Sequence, residues 1–531
     1  MWIEKKFKTF LGKLSNSEKV AFIATFLGGL IGHLYIFANT IPNFDGISRV
    51  YDEQQMTLAG RWFLHYASGV NYFTQMPMVI GVLTMFFLGL AVMLVVHLLK
   101  IESSLLAGLW GILTAVFPAM ADTITYTYTA AAYGIAFLLA VVGVWLVNKG
   151  IMGFITGTVC LALSMGIYQT YCTVAISLCV LVILNEALQK ESKVKELLLL
   201  GLRHVLHLGL GAALYYGILK VFLKVKDLQL WSYLGMSDVE QGYPIGEIGL
   251  TLKKTYMQVG EFLLKGTDGL NHGLVLGAHY LLIVGGVLLF LVICREQKLL
   301  KNPAKLFGIL VLFLVTPIAV NFTQIISPYS QPRLIMKMAF IFLYLVPVIL
   351  WNKSKKDGIW KRAKETVAVV SVGSLLALNV YFWEYDNLMY TMLDQAHRAT
   401  LSFVTNVVSR VESYEGYHRG MQIVVIGGFP ADRYDNGIPV YNRVKHESAL
   451  SSSVIPLNKH IYYYMRDWLN VPVREPPEEM CIDIANTDAF KQMPLYPADG
   501  SVREIGGCVV VKMGENVSLK SEFEKQYEKR R

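Results

Sequence analysis

Residues 77–99 read PMVIGVLTMFFLGLAVMLVVHLL. The stretch carries no Asp, Glu, Lys or Arg, and it is as long as a helix must be to cross a bilayer, about 20 residues. Backbone polar groups find no water in lipid, so such a run is predicted to be helical. Comparable runs lie at 20–41, 105–121, 130–147, 151–167, 171–188, 204–223, 274–294, 306–326, 334–351 and 366–384. Of the 531 residues 54% are hydrophobic and only 16% charged, and the mean hydropathy is +0.45. Soluble chains carry about 25% charged residues. The expected fold is an all-α polytopic membrane bundle of about eleven transmembrane helices, followed by a small α/β domain. The division is expected as 1–384 for the membrane part and 385–531 for the tail. The first run is longer than the apolar core of a secretory signal, and no small-residue cleavage site follows it, so it reads as a retained helix.

Charge sets the orientation. The net charge is +9, but the basic residues form short clusters between apolar runs, which excludes a nucleic-acid reading. With the N-terminus inside, the inner segments hold Lys5, Lys6, Lys8, Lys13 and Lys19, then Lys100 and Lys149. Lys190, Lys193, Lys195 and Arg203 come next, then Arg295, Lys298, Lys301 and Lys305, and finally Lys353 to Lys364. The outer loops near 122–129 and 168–171 have no Lys or Arg. This is the positive-inside pattern, with the N-terminus cytoplasmic and the tail extracytoplasmic.

In the tail, Met421–Ile426, Cys481–Ile484 and Cys508–Lys512 read as strands, and Lys459–Leu469 and Asn387–Ser413 as helices. Cys481 and Cys508 either form a disulfide, if the tail faces an oxidising compartment, or stay free thiols. The other four cysteines lie in or beside apolar runs. Ile245–Leu264 reads as a helix lying in the interface, with Leu, Met and Phe on one side and Lys253 and Lys254 on the other. The Tyr462-Tyr463-Tyr464 run with Trp468 suits either sugar stacking or, more simply, a small core.

The chemistry points to the first outer loop: Asn43-Phe44-Asp45-Gly46-Ile47-Ser48-Arg49, then Asp52-Glu53 and Gly60-Arg61-Trp62. A carboxylate at the membrane surface can take the proton of an acceptor hydroxyl. An Arg fork can hold the departing phosphate of a lipid-linked sugar. The plainer alternative is a set of solvated, mutually paired charges. Asp122, set among Thr123, Thr125, Tyr126, Thr127, Tyr128 and Thr129, reads either as a pocket acid or as a solvated helix end. Tyr168-Gln169 reads as a pocket element or a tight turn. Arg333 reads as a donor-phosphate ligand or a side chain snorkelling to headgroups. His33, His65, His272 and His279 lack metal-ligand spacing. No cofactor is identified, although an acidic site of this kind can take a divalent cation. The chain has no P-loop.

The order of these parts resembles the bacterial Gtr-type serotype-conversion glucosyltransferases, assigned to the GT-C class. Phe44-Asp45-Gly46 stands where that family has an acidic motif, often two adjacent Asp. Arg49 follows at similar spacing, and Gly60-Arg61-Trp62 matches a later element. Gly166-Ile167-Tyr168-Gln169-Thr170-Tyr171, Pro332-Arg333, Asn387-Leu388-Met389-Tyr390 and Val424-Val425-Ile426-Gly427 are also similar. Gly46 departs from the acidic pair, which leaves Asp52 or Glu53 to supply any second carboxylate. The resemblance implies transfer of a glucosyl or related residue from a polyprenyl-phosphate donor to a cell-surface polysaccharide or glycopolymer. It places that step on the outer face of a bacterial plasma membrane, with inversion at the sugar carbon. Asp45 is then the catalytic base; Arg49, Arg61 and Arg333 bind the donor phosphate; Asp52, Trp62, Asp122, Tyr168 and Gln169 line the substrate pocket. The alternative is a transporter or flippase of a lipid-linked sugar. It is disfavoured because the spans are nearly free of charge at their centres and no two-fold repeat is visible.

Overall fold

The structure, a computed structural model, describes all residues except 1, 3, 5–8, 10, 11, 48–52, 71, 73, 232–244, 268, 269, 330, 355–359, 430–438, 445–449, 451, 452 and 520–531. The chain divides into two compact units. One comprises Met1–Asn39, Asp52–Tyr72 and Met76–Asn387; the other comprises Thr40–Tyr51, Phe73–Gln75 and Leu388–Arg531.

The first unit is a helical bundle. Among the described residues, 10 helices are long and apolar enough to cross a membrane. They are Pro77–Leu99, Ser104–Thr125, Thr127–Leu146, Gly150–Ile167, Gln169–Ala187, Val194–Val225, Gly273–Glu296, Pro303–Val320, Leu334–Lys353 and Lys361–Glu412. Apolar side chains cover many of their surfaces, as lipid-facing helices require. The interior is filled by large rings, among them Trp110, Phe117, Phe137 and Phe342, all nearly inaccessible. Near one end of the bundle Lys364 donates to Glu296 at 2.9 Å, tying the last helix to Gly273–Glu296 through a buried pair.

Several expectations are corrected in detail. The run at 20–41 is not one helix. It is Asn16–Gly32, opened by a capping box between Ser15 and Glu18, then a break at His33, then Leu34–Ala38. The Ser-x-x-Glu signal for its start was present in the sequence. The segment 122–129 is not a loop. Helix Ser104–Ala115 breaks at Val116 and restarts at Pro118, whose missing N–H fits a first helical position, and it runs on to Thr125. The run at 334–351 opens as the 3₁₀ helix Leu334–Tyr344 before turning α-helical at Leu345–Lys353. The last span does not stop near 384 but continues to Glu412 as one helix. A helix is present at Ile248–Leu264, but its buried side carries Thr251, Thr255, Val259 and Phe262, whereas Leu250, Met257 and Leu264 are exposed. In the long first loop, Glu53–Leu58 and Leu64–Ala67 are helical.

The second unit is built on a three-stranded sheet of order β1-β3-β2, where β1 is Ile423–Ile426, β2 is Val502–Ile505 and β3 is Cys508–Lys512. The central β3 is buried along its length, consistent with its Val509-Val510-Val511 run. It pairs parallel to β1, with Val424 opposite Val510, and antiparallel to β2, with Arg503 opposite Val510. Gly506 and Gly507, at φ +59° and +76°, make the two-residue β2–β3 turn; positive φ at both positions is the tight hairpin geometry glycine suits best. Helix His460–Asp467 packs with Tyr462 buried, and the Val425 amide donates to the Tyr462 hydroxyl at 2.8 Å. The expected strand at Cys481–Ile484 is instead the helix Glu478–Asn486. Pro477 before Glu478-Glu479 is a helix-start pattern that outweighs the β-branched residues after it.

Cys481 and Cys508 are free thiols, as are the other four cysteines. Burial pushes the Cys481 thiol up to about 11. The unfolded chain should therefore titrate all 6 cysteines with a thiol reagent and run identically with and without reductant. In the folded protein at neutral pH Cys481 should resist maleimide. A mobility shift on reduction would contradict this pairing state.

Candidate active site

In the membrane unit the residues 59–63 form a short strap whose backbone is held from three sides. Gln169 Nε2 donates to the Ala59 carbonyl at 2.7 Å, and the Tyr215 hydroxyl donates to the Gly60 carbonyl at 3.0 Å. The Phe63 amide donates to the Gly166 carbonyl at 2.8 Å. Trp62 is 5% exposed and stacks on Tyr215 and Phe222, with centroids 6.4 and 5.8 Å away. Its indole lies so close to Gly166 that a Cβ there would come within 2.8 Å of the ring, so this contact requires glycine. Trp62 is thus the anchor of the strap, not an open sugar platform.

The anchored strap presents Arg61. Its guanidinium lies 4.7 Å from the centre of the Tyr168 ring, and Nη1 donates to the Tyr133 hydroxyl at 3.4 Å. Tyr133 and Tyr168 stack at 5.3 Å, and Tyr171 closes the cluster at 6.2 and 6.1 Å from them. A guanidinium over an aromatic face keeps its charge while losing freedom of orientation. Tyr168 ends helix Gly150–Ile167, and Gln169–Tyr171 is a 3₁₀ turn. The tight turn expected at Tyr168-Gln169 is present, and its side chains contact Arg61 and hold the strap.

Asp122 is wholly buried, and its Oδ2 accepts the Ile335 amide at 2.9 Å. Ile335 lies in the first turn of Leu334–Tyr344, and the preceding residue, Arg333, is exposed. A carboxylate bonded to a first-turn amide supplies the acceptor, and the negative charge, that a helix start favours. The neighbouring threonines are also occupied. Thr123, Thr125, Thr127 and Thr129 donate to the carbonyls of Ala119, Asp122, Ile124 and Tyr126. Of the two readings of Asp122, the solvated helix end is overturned: the residue is buried and caps the start of the segment after Arg333.

Asp45 belongs to the other unit. It is exposed at the tip of a turn in which the Gly46 amide donates to Asn43 twice, to Oδ1 at 2.7 Å and to the carbonyl at 3.1 Å. Asn43 and Ile47, on either side, are each 1% exposed. Gln75 Nε2 donates to the Gly46 carbonyl at 2.7 Å, and Trp468 Nε1 to the Ile47 carbonyl at 3.0 Å. Arg49 and Asp52 lie outside the described residues, as does the side chain of Glu53. Among the described residues no group of three His, Cys, Asp or Glu side chains is arranged to hold a metal ion.

The family model described as glucosyl transferase GtrII matches residues 34–348, more than half of the chain. This chain belongs to the GtrII glucosyltransferase family. It is therefore a glycosyltransferase, as the resemblance in the sequence implied, and the carrier alternative gives way to that assignment. The GtrII match includes Asp45, Arg61, Asp122, Tyr168 and Arg333, and it ends before the C-terminal sheet. No curated protein and no solved structure matches the chain.

Sequence reasoning missed Tyr133 and Tyr215, which hold Arg61 and its strap, and Gln75, which bonds the turn that carries Asp45. Each sits on a remote element and looks like an ordinary span or loop residue, so no local signal marks it. Trp468 was noticed only as part of an aromatic run. In that run Tyr462 and Tyr464 are core residues, 1% and 0% exposed, which favours the simpler of the two readings.

The capping role of Asp122 needs an acceptor oxygen more than a charge. Asp122→Asn should keep glucosyl transfer within about threefold of wild type, whereas Asp122→Leu should lose roughly 1–3 kcal/mol of stability by stranding the Ile335 amide. Thermal unfolding in detergent and initial transfer rates check both. Complete loss of transfer in a stably folded Asp122→Asn would instead make Asp122 part of the chemistry.

Proposed function

We propose that this enzyme moves a glucosyl residue from a polyprenyl-phosphate donor to a cell-surface polysaccharide or glycopolymer, on the outer face of a bacterial plasma membrane. The observation that carries the reading is the exposed carboxylate of Asp45 on a turn whose flanking residues are buried, inside the span matched by a glucosyltransferase family. An enzyme of this class needs a base at the surface of the membrane, because the donor's lipid keeps its phosphate there. The basic clusters of the alternating segments support a cytoplasmic N-terminus and an outer location for both Asp45 and the tail.

The proposed reaction is a single displacement. The acceptor hydroxyl oxygen attacks the anomeric carbon, and its proton passes to Asp45. The bond from that carbon to the phosphate oxygen breaks, and the polyprenyl phosphate leaves with the electron pair. One base suffices, and the sugar carbon is inverted. Arg61, oriented by Tyr168 and Tyr133, is the proposed holder of the phosphate. Arg333 and Arg49 are proposed to assist it, and Asp52 to face the substrate. Trp62 and Gln169 serve by holding the Arg61 strap, and Asp122 by ordering the segment after Arg333.

Asp45→Asn should lower kcat by at least about 100-fold, the low end of what a general base contributes. Expression, insertion and thermal unfolding should stay at wild-type values. The assay gives membranes polyprenyl-phosphate [14C]glucose and follows label into polymer. Wild-type transfer by this variant would remove Asp45 from the chemistry. In the same assay Tyr168→Phe should match wild type, while Tyr168→Leu should raise KM for the donor by several-fold through loss of the ring beneath Arg61, a contact of about 0.5–2 kcal/mol.

A further inference from the structure

The turn at 43–47 raises a question that the family match does not answer. Inside the turn Asn43 accepts the Gly46 amide. Surface turns held only by their own residues sit at the low-stability end of a protein. A general base cannot sit on a wandering turn, because a misplacement of about 1 Å costs on the order of 100-fold in rate. Two donors from elsewhere in the same unit take the two carbonyls directly after Asp45. Gln75 bonds the Gly46 oxygen at 2.7 Å and Trp468 bonds the Ile47 oxygen at 3.0 Å. These bonds hold the peptide units that follow Gly46 and Ile47, and the Gly46 amide's bonds to Asn43 hold the Asp45–Gly46 unit before them, so the backbone leaving Asp45 is fixed over three successive units.

Trp468 is itself firmly set. It follows helix His460–Asp467, and its amide donates to the Tyr464 carbonyl at 3.0 Å. Its ring stacks on Tyr464, with centroids 6.0 Å apart and planes 15° from parallel. The edge of His397 meets it at 5.1 Å, and Tyr464 and His397 are joined by a 3.2 Å hydrogen bond. The indole N–H is a donor with no second role, and its direction is dictated by this stack. Its acceptor is 421 positions away in sequence. Trp468 also lies outside residues 34–348, the span the family match covers.

We propose that Trp468, with Gln75 beside it, is a positioning residue for the reaction: it fixes the turn that carries Asp45, so that the C-terminal unit contributes to catalysis through the geometry of the base. The proposal rests on the reading of Asp45 as that base. Trp468→Phe tests it, since the variant keeps the ring for Tyr464 and His397 and removes the N–H. With polyprenyl-phosphate [14C]glucose as donor, kcat should fall about tenfold, with the donor KM and the unfolding temperature unchanged. Hydrogen exchange followed by mass spectrometry should show faster exchange in the peptide spanning 43–47 and wild-type exchange across the sheet. Gln75→Leu should move the same two readouts in the same direction. Wild-type kcat in Trp468→Phe overturns the proposal. So does faster exchange spread through the whole unit with a lowered unfolding temperature, which would mark Trp468 as a general core residue. Asp45→Asn run in parallel separates the two claims. If it transfers sugar normally while Trp468→Phe still loosens 43–47, the base assignment falls and the fixing of the turn stands.

Discussion

A peptide group within a bilayer has no water to bond, so every break in a membrane helix must be answered by another group of the protein. This constraint organises the membrane unit. Where the second span breaks at Val116, the Ala115 carbonyl bonds the imidazole of His33 at 2.8 Å. Where the first helix breaks at His33, the Gly32 carbonyl accepts a hydrogen bond from Asn387 Nδ2 at 3.0 Å. Where the chain re-enters as a 3₁₀ helix after Arg333, Asp122 takes the Ile335 amide. Where it passes through 59–61, Gln169 and Tyr215 satisfy the carbonyls. Polar side chains in an apolar interior are costly, and here most of those flagged by the sequence are explained by backbone groups they must satisfy.

This bears on how function is read from such a chain. Asp122, Gln169 and Trp62 all look like candidate site residues in the sequence, yet within the membrane unit each holds a segment in place. What they hold is Arg61 over its tyrosines and the helix start that follows the exposed Arg333. The aromatic cluster under Arg61 covers one face of its guanidinium with the Tyr168 ring. The same logic holds in the second unit, where Asn43 and Ile47 are buried and Asp45 alone of the turn's polar side chains is exposed.

Most of the architecture could be read directly from the chain. Apolar runs such as Pro77–Leu99 and Gly273–Glu296 were found to within a residue or two, because length and lack of charge leave no competing structure. Breaks within runs were harder. Pro118 restarts a helix that apolarity alone would end, and the 3₁₀ opening of Leu334–Tyr344 has no compositional mark. At Cys481–Ile484 a β-branched pattern lost to a proline and acidic helix start. For the site, Asp45, Arg61 and Tyr168 stood out because charged or polar groups beside apolar runs are conspicuous. Tyr133, Gln75 and Trp468 did not, because their roles depend on contacts with segments tens to hundreds of residues away.

The central claim is that the sugar arrives on a lipid phosphate and leaves by direct displacement. Donor competition in the reconstituted enzyme tests it most directly. Purified protein in liposomes would be given polyprenyl-phosphate [14C]glucose in one reaction and UDP-[14C]glucose in another, each with the same cell-surface polysaccharide. The account predicts that label moves from the organic-soluble lipid into polymer in the first reaction and does not move in the second. Transfer from the nucleotide sugar with the lipid donor inert would contradict it.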